Sequence, residues 1–397
     1  MAKKEKKILD KQGWVQSFML IGHPVISEYT YKINQQAKSS DWIYNTLSLN
    51  VDCGEEFGVI QCEMNGGYGA GRENVCYVHG KKEDGKDDFE NRYQIDWDDR
   101  MDEDILKDVG DLCFIKIGLE KDTKGNVVES RFLNAYDAIN HIAEMLTEDM
   151  LIRVHGQLEY HEYQGVVQLR KKINKIVLEN DTAQPTAQFT QTMLIDKYSV
   201  GKPDKEKQTI PIIGYILEKC KEYRGIDLTD DQNRGGKYVP LRREFEYEYD
   251  TEDIERTKKK INVLFKVKKG YTMITYKGVF VEGGALITTT YADLADDVKE
   301  LVDCGAMELE EALADCTENK SKVRRMILKK PVIKMVGEEG SKVSQIQKFE
   351  NKYSEEDLIL DYLIQPEEKN DEDDEVPFNE VDSNDMDDDS WLDQLGE

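Results

Sequence analysis

Along most of the chain, apolar residues recur at every second position, the period of a strand with one buried face. Val15 to Ile21, Ile43 to Val51 and Gly58 to Met64 are such runs, rich in β-branched and aromatic residues. Asn65-Gly66-Gly67-Tyr68-Gly69-Ala70-Gly71 holds too much glycine for regular structure and predicts a flexible loop. The polar, acidic stretch from Lys81 to Asp104 predicts a surface excursion. Strand pattern resumes at Leu112 to Leu119, before a turn at Asp122-Thr123-Lys124-Gly125-Asn126. Ala135, Ile139, Ile142, Ala143 and Leu146 keep helical spacing, and two strands follow at Leu151 to Tyr160 and Val166 to Leu178.

Three strands, a helix and a closing hairpin form the order of an OB-fold barrel. Residues 14–180 are therefore expected to be one such domain behind an N-terminal arm, residues 1–13. Asp181 to Gln188 is short, polar and contains Pro185, which predicts a linker. Strand pattern restarts at Phe189 to Val200, a short helix is expected near Ile216 to Tyr223, and aromatic and acidic residues alternate from Phe245 to Tyr249. Ile261, Val263, Phe265 and Val267 alternate with polar positions, turn at Lys269-Gly270 and return through Tyr271 to Val281, which predicts a hairpin. Helical spacing from Leu294 to Ala314 precedes a basic strand, Val323 to Val336. Residues 189–336 thus read as a second OB-like domain, 337–366 as a connector with an amphipathic segment at Glu355 to Ile364, and 367–397 as a tail. The fold class expected is α+β, mainly β, with two OB-fold-like barrels.

Composition narrows the function classes. No stretch approaches the roughly 18 consecutive apolar residues of a membrane span. The charged start, Met1 to Lys7, leads into Ile8-Leu9-Asp10-Lys11 and not into the apolar core of a secretory signal. Seven cysteines without a Cys-x-x-Cys pair predict free thiols and a cytoplasmic location. The net charge is −27, but it is sorted by region: residues 367–397 carry 15 acidic groups and one basic group. Arg256 to Val281 holds eight Lys/Arg and no acid, and Lys320 to Val336 holds seven and no acid. The tail is too poor in aliphatic residues to offset its ordering entropy and is expected to be disordered.

Single-strand binding needs cations for phosphates and flat side chains for bases. Lys258, Lys259, Lys260, Lys266, Lys268, Lys269 and Lys277 supply charge around Phe265, Tyr271 and Tyr276. In the first domain, Tyr160 and Tyr163 flank a turn, Arg170, Lys171 and Lys172 lie on the returning strand, Arg153 precedes them, and Trp42 and Tyr44 share a strand face. The alternative is that the rings are core and the lysines guard strand edges. Cys53, Cys62, Cys76 and His79 have the ligand types for zinc, but the first two are too far apart for a knuckle, so no metal or other cofactor is expected. Phosphate-loop, nucleophile-elbow and zinc-protease motifs are absent, which predicts a non-enzymatic protein.

In the tail, Asp373-Asp374-Glu375-Val376-Pro377-Phe378 and Asp389-Ser390-Trp391-Leu392-Asp393-Gln394-Leu395 set apolar groups inside anionic runs, a pattern suited to anchoring partners. The first run resembles the acidic C-terminus of bacterial and tailed-phage single-stranded DNA-binding proteins, and the layout is similar to the phage type. Nineteen residues follow Phe378, so Trp391 and Leu395 offer a second anchor. The resemblance implies a protein that coats and protects single-stranded DNA in replication, recombination and repair. Through Val376, Pro377, Phe378, Trp391, Leu392 and Leu395 it would recruit partner proteins. The competing expectations are an acidic scaffold or DNA mimic that binds a protein, and, third, a Mg-dependent nuclease.

Overall fold

The computed structural model describes residues 11–358 except 12, 164–165, 206, 231–233, 251–252, 284–293, 305–306, 308, 310–322, 338–340, 351 and 354–357. The first half begins with β1 (Gln16–Val25), β2 (Tyr31–Gln36), β3 (Trp42–Asp52) and β4 (Val59–Gly69). It continues through β5 (Val75–Lys81), β6 (Asp87–Asp96), the one-turn α1 (Glu103–Leu106), β7 (Ile115–Lys121) and β8 (Val127–Phe132). It closes with α2 (Ala135–Met145), β9 (Ile152–Tyr163) and β10 (Val166–Leu178). The second half opens with β11 (Thr186–Ile195), β12 (Thr209–Cys220), the short β13 (Glu222–Tyr223) and β14 (Ile226–Asp227), and β15 (Lys237–Glu248). Then come α3 (Ile254–Leu264), β16 (Thr272–Gly283), α4 (Asp296–Asp303), β17 (Val323–Pro331), β18 (Ile333–Val336), β19 (Val343–Ile346) and β20 (Lys348–Glu350).

Mostly strand, each half closes five strands into a ring. In the first, β1 pairs antiparallel with β3 and β9, β3 with β4, and β9 with β10, while β10 returns to β4 in parallel. In the second, β11 pairs antiparallel with β12 and β16, β12 with β15, and β16 with β17, while β17 returns to β15 in parallel. Both rings place a helix between the third and fourth strands, the order expected for the first domain; in the second that helix is α3, where a hairpin arm was expected. They join where β1 and β11 run antiparallel, from Gln16 opposite Gln191 to Ile21 opposite Thr186. One hydrophobic core runs through both, from Phe18 to Leu328.

The repeat is written in the chain. Ile152-x-Val154-His155-Gly156-x-Leu158 on β9 matches Ile274-x-Tyr276-Lys277-Gly278-x-Phe280 on β16. Phe18 stands opposite Gly156, and Phe189 opposite Gly278. A β-carbon at Gly156 would lie 2.4 Å from the Phe18 ring, and one at Gly278 would lie 2.3 Å from the Phe189 ring, so neither position tolerates a side chain.

Several expectations are corrected. Asn65 to Gly69 belongs to β4 and is not a loop. Its glycines admit close neighbours: a β-carbon at Gly66 would meet Asn134 Oδ1 at 2.7 Å, at the start of α2, and one at Gly67 would meet the Ile43 carbonyl at 2.1 Å. The stretch from Lys81 holds β6, which pairs back on β5 as a hairpin with its own small core of Cys76, Val78, Ile95, Val109 and Phe114. Ile216 to Cys220 continues β12, held by twelve paired positions against β15, where a helix was expected. The predicted arm Ile261 to Val267 is instead the end of α3 and the turn after it. Asp253 accepts the Arg256 amide at 3.0 Å as N-cap, and Thr257 and Ile261 face the core, so the helical period prevails over alternation. β11 begins at Thr186, inside the expected linker. In the expected connector, β20 pairs with the start of β16. Among the described residues, the helix expected over 294–314 spans Asp296–Asp303. The amphipathic segment at 355–364, apart from residue 358, and the whole tail lie outside the described residues.

Candidate nucleic-acid interface

At the junction of the rings, the strands β9, β1, β11 and β16 lie side by side. Their outer face carries an open depression of about 370 Å³. Phe18, Gly156 and Phe189 line it together with Ser17, Met19, His155, Asn174, Gln188, Thr190 and Lys277. None of these is a carboxylate, in a chain with 81 Asp and Glu. Burial lowers the basicity of His155, as do the nearby Arg153 and Lys175 charges, so the ring is held neutral. Lys277 is exposed and stands directly opposite Lys330 on β17, also exposed. Like charges paired across strands destabilise a sheet, and neither lysine meets a carboxylate among the described residues. An anion laid across them would relieve that repulsion.

The predicted cations of the first ring are already engaged. Arg153 pairs with Glu179, Arg170 with Glu63 at 3.6 Å, Lys172 with Glu159 at 3.2 Å, and Lys175 with Glu129. Lys171 is buried and pairs with Glu282 of β16, its ammonium 5.0 Å from the Phe280 ring centroid. Tyr160 is buried as well, and its hydroxyl donates to Gln191 Oε1 at 2.9 Å. Lys171 and Tyr160 are therefore ties between the two rings and not surface contacts, because a base or phosphate cannot reach them. Tyr163 ends β9. Trp42 and Tyr44 remain half-exposed on one face of β3, opposite Gly69 and Gly67. The guanidinium of the exposed Arg72 lies 5.8 Å from the Trp42 centroid.

In the second ring, the cations and the predicted rings part company. Phe265 and Tyr276 are fully buried and stack at 5.1 Å, inside the core and away from any strand that could stack on them. This corrects their assignment as platforms: Tyr276 occupies the position of Val154 in the repeat, which points inward. Tyr271 is half-exposed and meets Tyr215 edge to face at 5.9 Å. Lys258 pairs with Glu255 at 3.3 Å, one turn earlier on α3. Lys259, Lys260, Lys266, Lys268 and Lys269 are exposed on α3 and the turn that follows it. Of these, Lys259, Lys260, Lys268 and Lys269 have no carboxylate partner among the described residues. Sequence reading found these lysines; it missed Lys330 as the partner of Lys277, because the register between β16 and β17 is set only on folding.

The thiols are structural neighbours of the core. Cys53 and Cys62 are buried in the main core, and burial pushes the Cys53 thiol up to about 12. Cys76 lies in the small core of the hairpin, and His79 is on the opposite face of β5. Among the described residues no group of His, Cys, Asp and Glu is placed to hold a metal. Cys113, His79 and Asp87 adjoin, yet the sulfur lies 3.2 Å from His79 Nδ1 and 3.8 Å from Nε2. Being nearly equidistant from both nitrogens, it sits over the ring face and not on the Nδ1 lone pair, so it is not placed for proton transfer.

No known protein family matches the sequence, and no curated protein does. Among solved structures, the chain is similar to the wild-type single-stranded DNA binding protein from Thermus aquaticus, at 9% identity and a TM-score of 0.31, over 83% of this chain and 98% of that one. A deletion mutant of the same Thermus aquaticus protein matches at 10% identity and a TM-score of 0.30, over 67% of this chain and 87% of that one.

Proposed function

We propose that the protein binds single-stranded DNA without strong sequence preference, as a non-enzymatic coat in replication, recombination and repair. The observation that carries the reading is a depression lined without a carboxylate in an acidic chain. Lys277, opposite Lys330 on the next strand, lines a carboxylate-free depression, and Lys259, Lys260, Lys268 and Lys269 add unpaired charge on the same ring. These cations take phosphates, and Trp42, Tyr44 and Tyr271 offer ring faces to bases. Stacking reads the π-face that every base has, so binding tolerates sequence. In this proposal each ring is an OB domain, and residues 367–397 recruit replication proteins through Phe378 and Trp391 in the cytoplasm of the cell or phage host.

Titration of the full chain with oligo-dT and with duplex of equal length tests this. The single strand should bind more tightly, with affinity falling steeply as salt rises. Equal or tighter duplex binding contradicts the proposal. Tight binding of a protein partner without any nucleic-acid affinity would favour an acidic scaffold instead.

A further inference from the structure

We propose that the β5–β6 hairpin is a second platform for the strand, on which bases stack against Tyr77 and Phe89 while Arg92 takes an adjoining phosphate. This rests on the single-strand reading above. The internal repeat supplies the control. In the second ring only residues 249–253 separate β15 from α3, whereas residues 70–134 separate β4 from α2 in the first. A ring therefore closes without the hairpin, and the hairpin is an addition.

That addition buries its own core on one face and leaves rings on the other. Tyr77 is 78% exposed and Phe89 54% exposed, the two most exposed aromatic side chains of the segment. Across the ladder Tyr77 faces Gln94 and His79 faces Arg92, so these four share the outer side. Phe89 rests on the His79 ring with centroids 4.6 Å apart. Asp87, beside His79, is tied down: it accepts from the Leu112 amide at 2.9 Å and meets His79 Nε2 at 2.7 Å.

Arg92 is exposed; its Nε donates to the Phe89 carbonyl at 2.9 Å, and it has no carboxylate partner among the described residues. Tyr77, His79, Phe89 and Arg92 line an open depression of about 700 Å³ whose lining contains no carboxylate. A basic peptide would meet an arginine there with nothing to neutralise it. Flat rings beside an unpaired guanidinium fit an anionic ligand with flat faces, which a single strand is.

The test measures affinity and occluded site size of the full chain on oligo-dT of increasing length, for wild type and for Tyr77→Ala with Phe89→Ala. The double variant should bind long oligonucleotides roughly ten- to a hundredfold more weakly, with a shorter site. Its affinity for oligonucleotides too short to span both platforms should be unchanged. Tyr77→Phe with Phe89→Tyr should retain wild-type binding, and 5-iodouracil in the strand should cross-link to Tyr77 or Phe89. Both rings are exposed, so melting temperature and near-ultraviolet dichroism should report an intact fold. If wild type binds oligo-dT but the alanine variant matches it at every length, the platform is refuted and single-strand binding stands. If wild type binds no oligo-dT at any salt, both fall. Oligo-lysine bound at the hairpin in place of oligo-dT also overturns the platform.

Discussion

In the first ring, Arg153, Arg170, Lys171, Lys172 and Lys175 each face a carboxylate. In the second, Lys259, Lys260, Lys268, Lys269, Lys277 and Lys330 face none among the described residues. The two rings share one strand order, yet the cations of β9 and β10 named here are all paired, whereas these six lysines of the second ring are not. A lysine in an ion pair must break that pair before it can hold a phosphate, so basic sequence and available charge are different quantities. Which partner a cation finds depends on strands that meet only after folding.

The largest effect should come from Lys171. Lys171→Ala leaves Glu282 buried without its partner, which should cost about 3–5 kcal/mol in chemical denaturation. Lys171→Met with Glu282→Leu should recover most of that loss. If Lys171→Ala weakened DNA binding while leaving stability intact, Lys171 would be a contact and the contrast between the rings would fail.

Next in size is charge reversal. Lys268→Glu with Lys269→Glu should weaken oligo-dT binding strongly. Arg170→Glu with Lys172→Glu should weaken it less, because those cations are already neutralised. Equal losses, measured by fluorescence titration at one salt, would make the rings equivalent. Single ring deletions should be smaller: Trp42→Ala, Tyr44→Ala or Tyr271→Ala should each cost about 1–3 kcal/mol of binding where the ring stacks.

How far the sequence revealed this depends on which forces are local. The strands at Ile43 to Val51 and Val166 to Leu178, the helix at Ala135 and the turn at 122–126 were legible, because alternation, helical spacing and turn chemistry act over a few residues. The helix α3 was not, since Ile261, Val263, Phe265 and Val267 satisfy two periods at once. Burial of Ile261 and Phe265 with Val263 left 66% exposed shows which period the fold uses. The face that a strand residue takes was equally hidden: Tyr276 and Lys277 are neighbours, one fully buried and one exposed. The ion pairs were out of reach, since Lys171 and Glu282 lie 111 positions apart and on different rings. The excess of lysine from Arg256 to Val281 was visible as charge, and five of the six unpaired lysines named above lie there, Lys330 being the exception.

The smallest effect is acid sensitivity at the junction. His155 has its basicity lowered by burial first, then by Arg153 and Lys175. Its folded pKa lies below its unfolded value, so the unfolded chain takes up a proton that the folded chain refuses. The stability tied to the neutral ring is whole above the unfolded pKa, about 6.5, and declines as pH falls below it. His155→Gln should flatten that decline in a pH series of melting temperatures, and an unaltered profile would place the acid sensitivity elsewhere.

The central claim, that the lysines of the second ring and not the paired cations of β9 and β10 hold phosphates, is tested most directly by the salt dependence of oligo-dT affinity. Removing one cation from a phosphate should reduce the slope of log K against log salt by about 0.7 for a single strand. Lys268→Gln, Lys269→Gln and Lys277→Gln combined should therefore flatten the slope by roughly 2, while Arg153→Gln, Arg170→Gln and Lys172→Gln combined should leave it nearly unchanged. A slope that falls with the first-ring substitutions and holds with the second-ring ones would contradict the account.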